Sequence, residues 1–296
     1  MNNSIFKGIA TALITPFKAN GEVDYDAYGR LIDWQIDCGI DALVSCGTTG
    51  EGPTLTDEEH KEVVRYCVER TAGRVPVIAG TGSNDTAYAI ELTKFSCDVG
   101  ADAMLVVTPY YNKATQKGLI ASFEAIADAS TKPLILYNVP SRTGCGIQSA
   151  TYAALAKHPM ISAIKEANGN ISSVVETMSL VHGQLDMYSG NDDQIVPILS
   201  MGGAGCISVL SNIMPRETCE ITRRFFAGDV AGAAELQMKY VPLINALFSE
   251  VNPIPVKAAM AAMGWSEDIL RLPLTPMEDA TRAKLLGLMR QEGLIG

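Results

Sequence analysis

The sequence predicts an α/β fold, a (β/α)8 TIM barrel with a C-terminal helical domain, and three features carry that expectation. Short runs rich in Val, Ile and Leu recur through the first three quarters of the chain without polar/apolar alternation, as strands covered on both faces require. Amphipathic helical stretches lie between them. Past about Arg224 the strand-like runs stop and only helical stretches follow. Eight strand–helix units, at a repeat of roughly 20 to 35 residues, fit a closed barrel of about 250 residues with an appendage.

The elements read in order as follows. The first run, residues 8–15, ends in Thr15-Pro16-Phe17, where a doubly wound dinucleotide fold would place a Gly-rich turn. A helix over 24–38 closes at Cys38-Gly39, ordinary C-cap chemistry. Run 42–47 leads into Gly47-Thr48-Thr49-Gly50-Glu51. The helix over 56–70 opens on Thr56-Asp57-Glu58-Glu59, a capping box, with Val63, Val64, Cys67 and Val68 on one face. Run 75–82 passes into Gly80-Thr81-Gly82-Ser83-Asn84-Asp85, which lacks the third glycine of a dinucleotide turn and reads as a strand-to-helix turn. Helix 83–99, run 103–110, helix 116–130, run 134–140, run 161–167, helix 170–181 and runs 185–191 and 205–210 complete the alternation. Helical stretches at 230–240, 242–251, 255–263 and 278–291 follow, so the chain divides into a catalytic barrel, residues 1–224, and a helical domain, residues 225–296.

Composition narrows the function classes. The net charge is −10 with no run of Lys and Arg, so no nucleic-acid partner is expected. No apolar run approaches the roughly 18 residues that span a bilayer, and the opening residues do not read as a signal peptide. No membrane association is expected. Seven cysteines stand singly in apolar segments, without the spacing of a zinc site or redox pair. They suit small buried hydrophobes in a reducing cytoplasm.

In a barrel the reacting groups sit at the C-terminal ends of the strands. Lys165 stands out there, following Ile161-Ser162-Ala163-Ile164 in a strand buried on both faces. It is either ion-paired, with Glu166 the nearest partner, or a desolvated amine able to attack a carbonyl. Tyr137, one strand earlier, is either an interfacial core residue or a phenol that shuttles protons for that lysine. Arg142 is either solvated or a planar fork for a carboxylate. The two glycines around Thr48 and Thr49 are either a simple turn or a cradle of converging backbone N–H groups for an anionic oxygen. His60, His158 and His182 are isolated, so no metal site is expected.

Taken in order, Gly47-Thr48-Thr49-Gly50-Glu51, Tyr110-Tyr111-Asn112, Tyr137-Asn138-Val139-Pro140-Ser141-Arg142-Thr143 and Ile164-Lys165-Glu166 resemble the dihydrodipicolinate synthase family. This family lies within the N-acetylneuraminate lyase superfamily of class I pyruvate-dependent aldolases. The similarity runs from Gly8 to about Pro255 and takes in Asn252-Pro253-Ile254-Pro255-Val256-Lys257. The resemblance implies a homotetramer, a dimer of tight dimers. It implies that Lys165 forms a Schiff base with pyruvate and that Tyr137 transfers protons, with no metal or organic cofactor. Thr49 would link Tyr137 to Tyr111, and Tyr111 would be lent across the tight dimer interface. Thr48 and Thr49 would hold the carboxylate of pyruvate, with Gly190 and Ile207 lining its pocket. Arg142 would bind the carboxylate of L-aspartate-4-semialdehyde.

The product would be 4-hydroxy-tetrahydrodipicolinate, on the route to lysine and diaminopimelate. Sialic-acid lyases on the same scaffold usually carry Ser in place of Thr48 and lack an arginine matching Arg142. A sugar-acid aldolase, of the 2-keto-3-deoxygluconate aldolase or N-acetylneuraminate lyase type, is the alternative. From a different class, a catalytically idle barrel used as a binding module is disfavoured by the retention of Lys165, Tyr137, Thr49 and Arg142 together. Lysine-inhibited members bind the effector through residues matching Asn84, His60 and Tyr110. This chain has Tyr88 where they often have a glutamate, and Asp57 where they often have a histidine. Weak or absent lysine inhibition is therefore expected, with Asp57 as a substitute partner for the effector's amine.

Overall fold

The computed structural model describes residues 4–296; residues 1–3, part of the stretch read above as carrying no signal peptide, lie outside them. Eight parallel strands close in sequence order, the last pairing with the first. The chain runs β1 (Gly8–Ala12), α1 (Tyr25–Asp37), β2 (Ala42–Ser45), α2 (Asp57–Thr71), β3 (Val77–Gly80), α3 (Thr86–Asp98), β4 (Ala103–Val107) and α4 (Gln116–Asp128). It continues through β5 (Leu134–Asn138), α5 (Pro140–Thr143), α6 (Ser149–Leu155), β6 (Ile161–Glu166), α7 (Ile171–Val181), β7 (Asp186–Ser189), α8 (Ile195–Ser200) and β8 (Gly205–Ser208). Helices α9 (Pro215–Phe226), α10 (Val230–Leu247), α11 (Ile254–Ala262) and α12 (Asp279–Gln291) follow. The strands are shorter than the apolar runs because each run carries on into its loop, where apolar backbone no longer pairs.

Each strand divides its side chains between two cores. Ala10, Ala12, Ala42, Val44, Ile78, Ala103, Leu105, Ile135, Ala163, Tyr188 and Ile207 fill the barrel interior. Their neighbours in sequence, such as Ile9, Leu43, Met104, Leu136, Ile164 and Cys206, face the helices. Both sets are apolar, which is why the runs show no alternation. All seven cysteines are unpaired, and six are buried.

The capping box at α2 forms as expected: Glu59 N donates to Thr56 Oγ1 at 3.2 Å and Thr56 N to Glu59 Oε2 at 2.9 Å. One expectation fails. The stretches 230–240 and 242–251 are a single helix, with Pro242 inside α10. Proline lacks an N–H and crowds the carbonyl four residues back, that of Met238, which normally ends a helix. Met238 lies 63% exposed. At that solvent-facing turn the unmatched carbonyl can be hydrated, while Tyr240, Leu243, Ile244 and Leu247 anchor both halves of the helix.

The barrel's seam is tight. A Cβ on Gly205 would lie 1.9 Å from the Gly8 carbonyl oxygen, so β8 can approach β1 only without a side chain there. Gly205→Ala should lower stability by about 3 kcal/mol or more, read as the urea-unfolding free energy. An unchanged midpoint would show that the seam gives way freely.

Candidate active site

The position of Lys165 follows from strand geometry. In β6 it shares its face with Ala163, and it lies level with Tyr137 of β5 and Tyr188 of β7, all interior residues. The lysine therefore points into the barrel at its C-terminal end and is only 6% exposed. Its Nζ sits 4.3 Å from the centroid of the Tyr137 ring. Glu166, one residue on, faces the opposite way, so the ion-paired reading of Lys165 is not the one realised. The Glu166 carboxylate instead accepts from Asn138 Nδ2 (3.0 and 3.1 Å), Tyr152 OH (3.1 Å) and Asn168 N (2.9 Å). Burial pushes its carboxyl up, and those donors pull it back. Since Asn138 follows Tyr137 and Glu166 follows Lys165, this outer clamp fixes the register of the inner pair.

Gly190 and Ile207 complete the surroundings. A Cβ at Gly190 would meet Ala167 Cβ at 2.7 Å and Lys165 Cε at 3.2 Å, so glycine leaves the lysine its room. Ile207 is fully buried in the interior core. Asp192, buried beyond β7, accepts from Val209 N (3.0 Å) and Leu210 N (2.9 Å). Burial pushes its carboxyl up, opposed by hydrogen bonds and by the nearby charge of Lys165.

The loop after β2 brings Thr48 and Thr49 to the same end. Thr49 is buried and its Oγ1 accepts from Asn252 Nδ2 at 3.0 Å. The Asn252 carbonyl in turn accepts from Arg142 Nη2 at 3.1 Å, so one residue of the C-terminal segment joins two predicted site residues. Asn252 and its neighbour Lys257 belong to a motif visible in the sequence, but nothing local in that motif reveals contacts with residues over 100 positions earlier. The Asn252 Oδ1 atom is buried without a hydrogen-bond partner. Tyr111 stands apart: the residue is 90% exposed and its backbone is left-handed at φ 72°. That conformation costs a tyrosine energy, and its own chain offers the ring little cover in return.

Thr48, Tyr137 and Tyr110 line one cavity of about 160 Å³ together with His60 and Tyr88. Three of the five candidate effector residues, His60, Tyr88 and Tyr110, thus adjoin the candidate active site. The Asn84 carbonyl accepts from Asn112 Nδ2 at 2.8 Å. Asp57 takes Lys61 at 2.7 Å on one oxygen and the Tyr88 hydroxyl at 3.0 Å on the other, so it has little left for an incoming amine. A second cleft, about 430 Å³, opens between Ser141, Ala167, Asn191, the α10 residue Asn245 and Phe248 just past that helix. Among the described residues no three of His, Cys, Asp and Glu gather to hold a metal ion.

The sequence model of the dihydrodipicolinate synthetase family matches residues 5–292. The chain belongs to this family. Among relatives, a 4-hydroxy-tetrahydrodipicolinate synthase of Lachnoclostridium phytofermentans is 56% identical over 293 residues, 99% of this chain and 100% of the relative. The crystal structure of dihydrodipicolinate synthase from Aquifex aeolicus superposes with a TM-score of 0.96 at 45% identity, covering 98% of this chain and 99% of the other. The structure of DHDPS from Cyanidioschyzon merolae with lysine bound gives a TM-score of 0.96 at 40% identity, covering 99% and 100%.

His60 adds a pH dependence at this family's barrel mouth. Its Nε2 lies 2.8 Å from the Gly80 carbonyl, so Nε2 carries a proton and donates to it. Burial holds its pKa below the usual histidine value. The unfolded chain then binds the extra proton first, so stability is full above about pH 6.5 and falls as pH drops, by at most about 1.4 kcal/mol per unit. Urea unfolding between pH 5 and 7 should show this slope, and His60→Gln should flatten it. An equal slope in the variant would remove His60 as its cause.

Proposed function

We propose that this chain is a 4-hydroxy-tetrahydrodipicolinate synthase that condenses pyruvate with L-aspartate-4-semialdehyde. The observation that carries this is the buried amine of Lys165 at the C-terminal mouth of the barrel, set over the Tyr137 ring in a chain of this family. Lys165 Nζ attacks C2 of pyruvate, water leaves, and a Schiff base forms. Loss of a C3 proton gives the enamine, whose C3 attacks the aldehyde carbon. The product's own amine then adds to C2, closes the ring and expels Lys165. The lysine supplies the electrophilic activation, so the chemistry calls for no metal or organic cofactor.

The remaining residues take roles that their positions support. Tyr137 carries protons during addition and loss of water. The loop bearing Thr48 and Thr49 holds the pyruvate carboxylate, Gly190 and Ile207 shape its pocket, and Arg142 offers the second substrate's carboxylate a bidentate fork. Tyr111, exposed on its own chain, serves the site of a second copy and links there with Thr49 and Tyr137. This gives the tight dimer from which a homotetramer is built. The same reading divides the chain into a catalytic barrel, residues 1–224, and a helical part, residues 225–296, with the boundary in the last turn of α9. No helix among the described residues is long and apolar enough to cross a membrane, which accords with work in the cytoplasm.

Arg142 and the names of the relatives weigh against the sugar-acid aldolase alternative. Lysine inhibition is weak or absent, because Tyr88 presents no carboxylate and Asp57 is already engaged.

Turnover with pyruvate should strongly prefer L-aspartate-4-semialdehyde over sugar-acid and N-acylated sugar partners. Arg142→Ala should remove that preference and Lys165→Ala all turnover. Turnover of sugar-type partners alone would hand the function to the alternative. In the same assay, a lysine titration should reach half-inhibition only above the millimolar range; half-inhibition well below it would overturn the reading of Tyr88 and Asp57.

A further inference from the structure

Glu51 closes the loop after β2, and its side chain is enclosed against Lys257 at the head of α11. Its backbone is left-handed at φ 52° and its side chain has no exposure. There Oε1 lies 2.6 Å from Lys257 Nζ, likewise fully enclosed, and Oε2 accepts from the Arg271 backbone N–H at 3.1 Å. Lys257 Nζ also donates to the Thr15 carbonyl at 3.1 Å and sits 4.1 Å from the Phe17 ring centroid. Thr15 Oγ1 in turn donates to the Gly50 carbonyl at 2.7 Å. Arg271 lies over the same Phe17 ring and binds both oxygens of Glu59, at the head of α2.

Burying two opposite charges returns little net stability, because desolvation consumes most of their attraction, and a well-packed apolar pair often does as well. What such a pair does supply is a fixed distance between two chain segments. Here the segments are the 47–51 loop and the first turn of α11. Asn252 and Lys257, five positions apart, grip Thr49 and Glu51, two positions apart. The loop is thus held at both its middle and its end by one short stretch of the C-terminal region.

We propose that Glu51 and Lys257 are positioning residues for the 2-keto acid: their buried pair sets the 47–51 loop so that Thr48, Thr49 and the loop's N–H groups meet the carboxylate. This rests on the proposed function, in which that loop binds pyruvate. Loosening the loop weakens carboxylate binding while leaving Lys165, Tyr137 and Arg142 in place.

The test is to reduce the pyruvate Schiff base with borohydride in the intact protein and follow trapping on Lys165 by mass spectrometry against pyruvate concentration. Steady-state kinetics and thermal melting accompany it. The variants are Lys257→Met, Glu51→Asp and the double Glu51→Gln/Lys257→Met. Loss of one charge-assisted hydrogen bond to the carboxylate corresponds to about a tenfold rise in half-saturation by pyruvate. That rise is expected in all three, with kcat and the aldehyde KM far less affected.

Lys257→Met leaves a buried carboxylate unpaired and melts early, whereas the double variant carries neither charge and recovers its melting temperature. A merely structural pair predicts that the double variant recovers pyruvate affinity along with its melting temperature; that result overturns the proposal. So does an unchanged half-saturation in Glu51→Asp, which keeps the charge but shortens the reach. Absence of trapping in the unaltered protein would overturn the functional reading and this one with it, whereas normal trapping with unshifted variants overturns this one alone.

Discussion

The two-residue period of a strand, imposed on a sheet that closes on itself, governs nearly everything else in this molecule. Closure gives every strand an inner and an outer face, and successive residues must take opposite ones. At the end of β6 this sends Lys165 inward and Glu166 outward from adjacent positions. A slip of one residue would reverse them, placing a carboxylate in the interior and an amine among the helices. The clamp between Glu166, Asn138 and Tyr152 opposes such a slip, because the outward carboxylate finds its donors only in the observed register.

Buried charge is distributed by the same logic. Glu166 and Asp192 lie outside the reacting space and are surrounded by donors, many of them backbone N–H groups. Glu51 and Lys257 neutralise each other below the 47–51 loop. Lys165 is different: its amine faces the Tyr137 ring in a pocket kept open by Gly190, with Asp192 near enough to feel its charge. Of the two buried lysines it is the one without a salt-bridge partner among the described residues.

Much of the fold was legible in the sequence, because strands covered on both faces are apolar throughout and the helices between them are not. The head of α2 could be read from Thr56 and Glu59 alone, since a capping box is local. The inward aim of Lys165 was legible only as one of two options; choosing between them needed the strand register. Pro242 was misleading, because its local veto on helix was overridden by packing on both sides of it. The grip of Asn252 and Lys257 on Thr49 and Glu51 spans more than 200 positions, and no periodicity or spacing announces a contact of that range. For Tyr111, the sequence marks a strand end, and exposure shows only in the folded chain.

That long grip has a consequence for how the molecule is made. Lys257 follows Glu51 by 206 residues, which at ribosomal speed is roughly 10 to 40 s of synthesis. For most of that interval the nascent chain holds strands β1 and β2 without β8 to close on, and throughout it a carboxylate whose burial awaits its counter-ion. The early half of the barrel therefore emerges with an open sheet edge and a 47–51 loop that is still slack. The mouth of the site is among the last parts to set, because the residues that hold it, Asn252 and Lys257, are made long after the loop they grip.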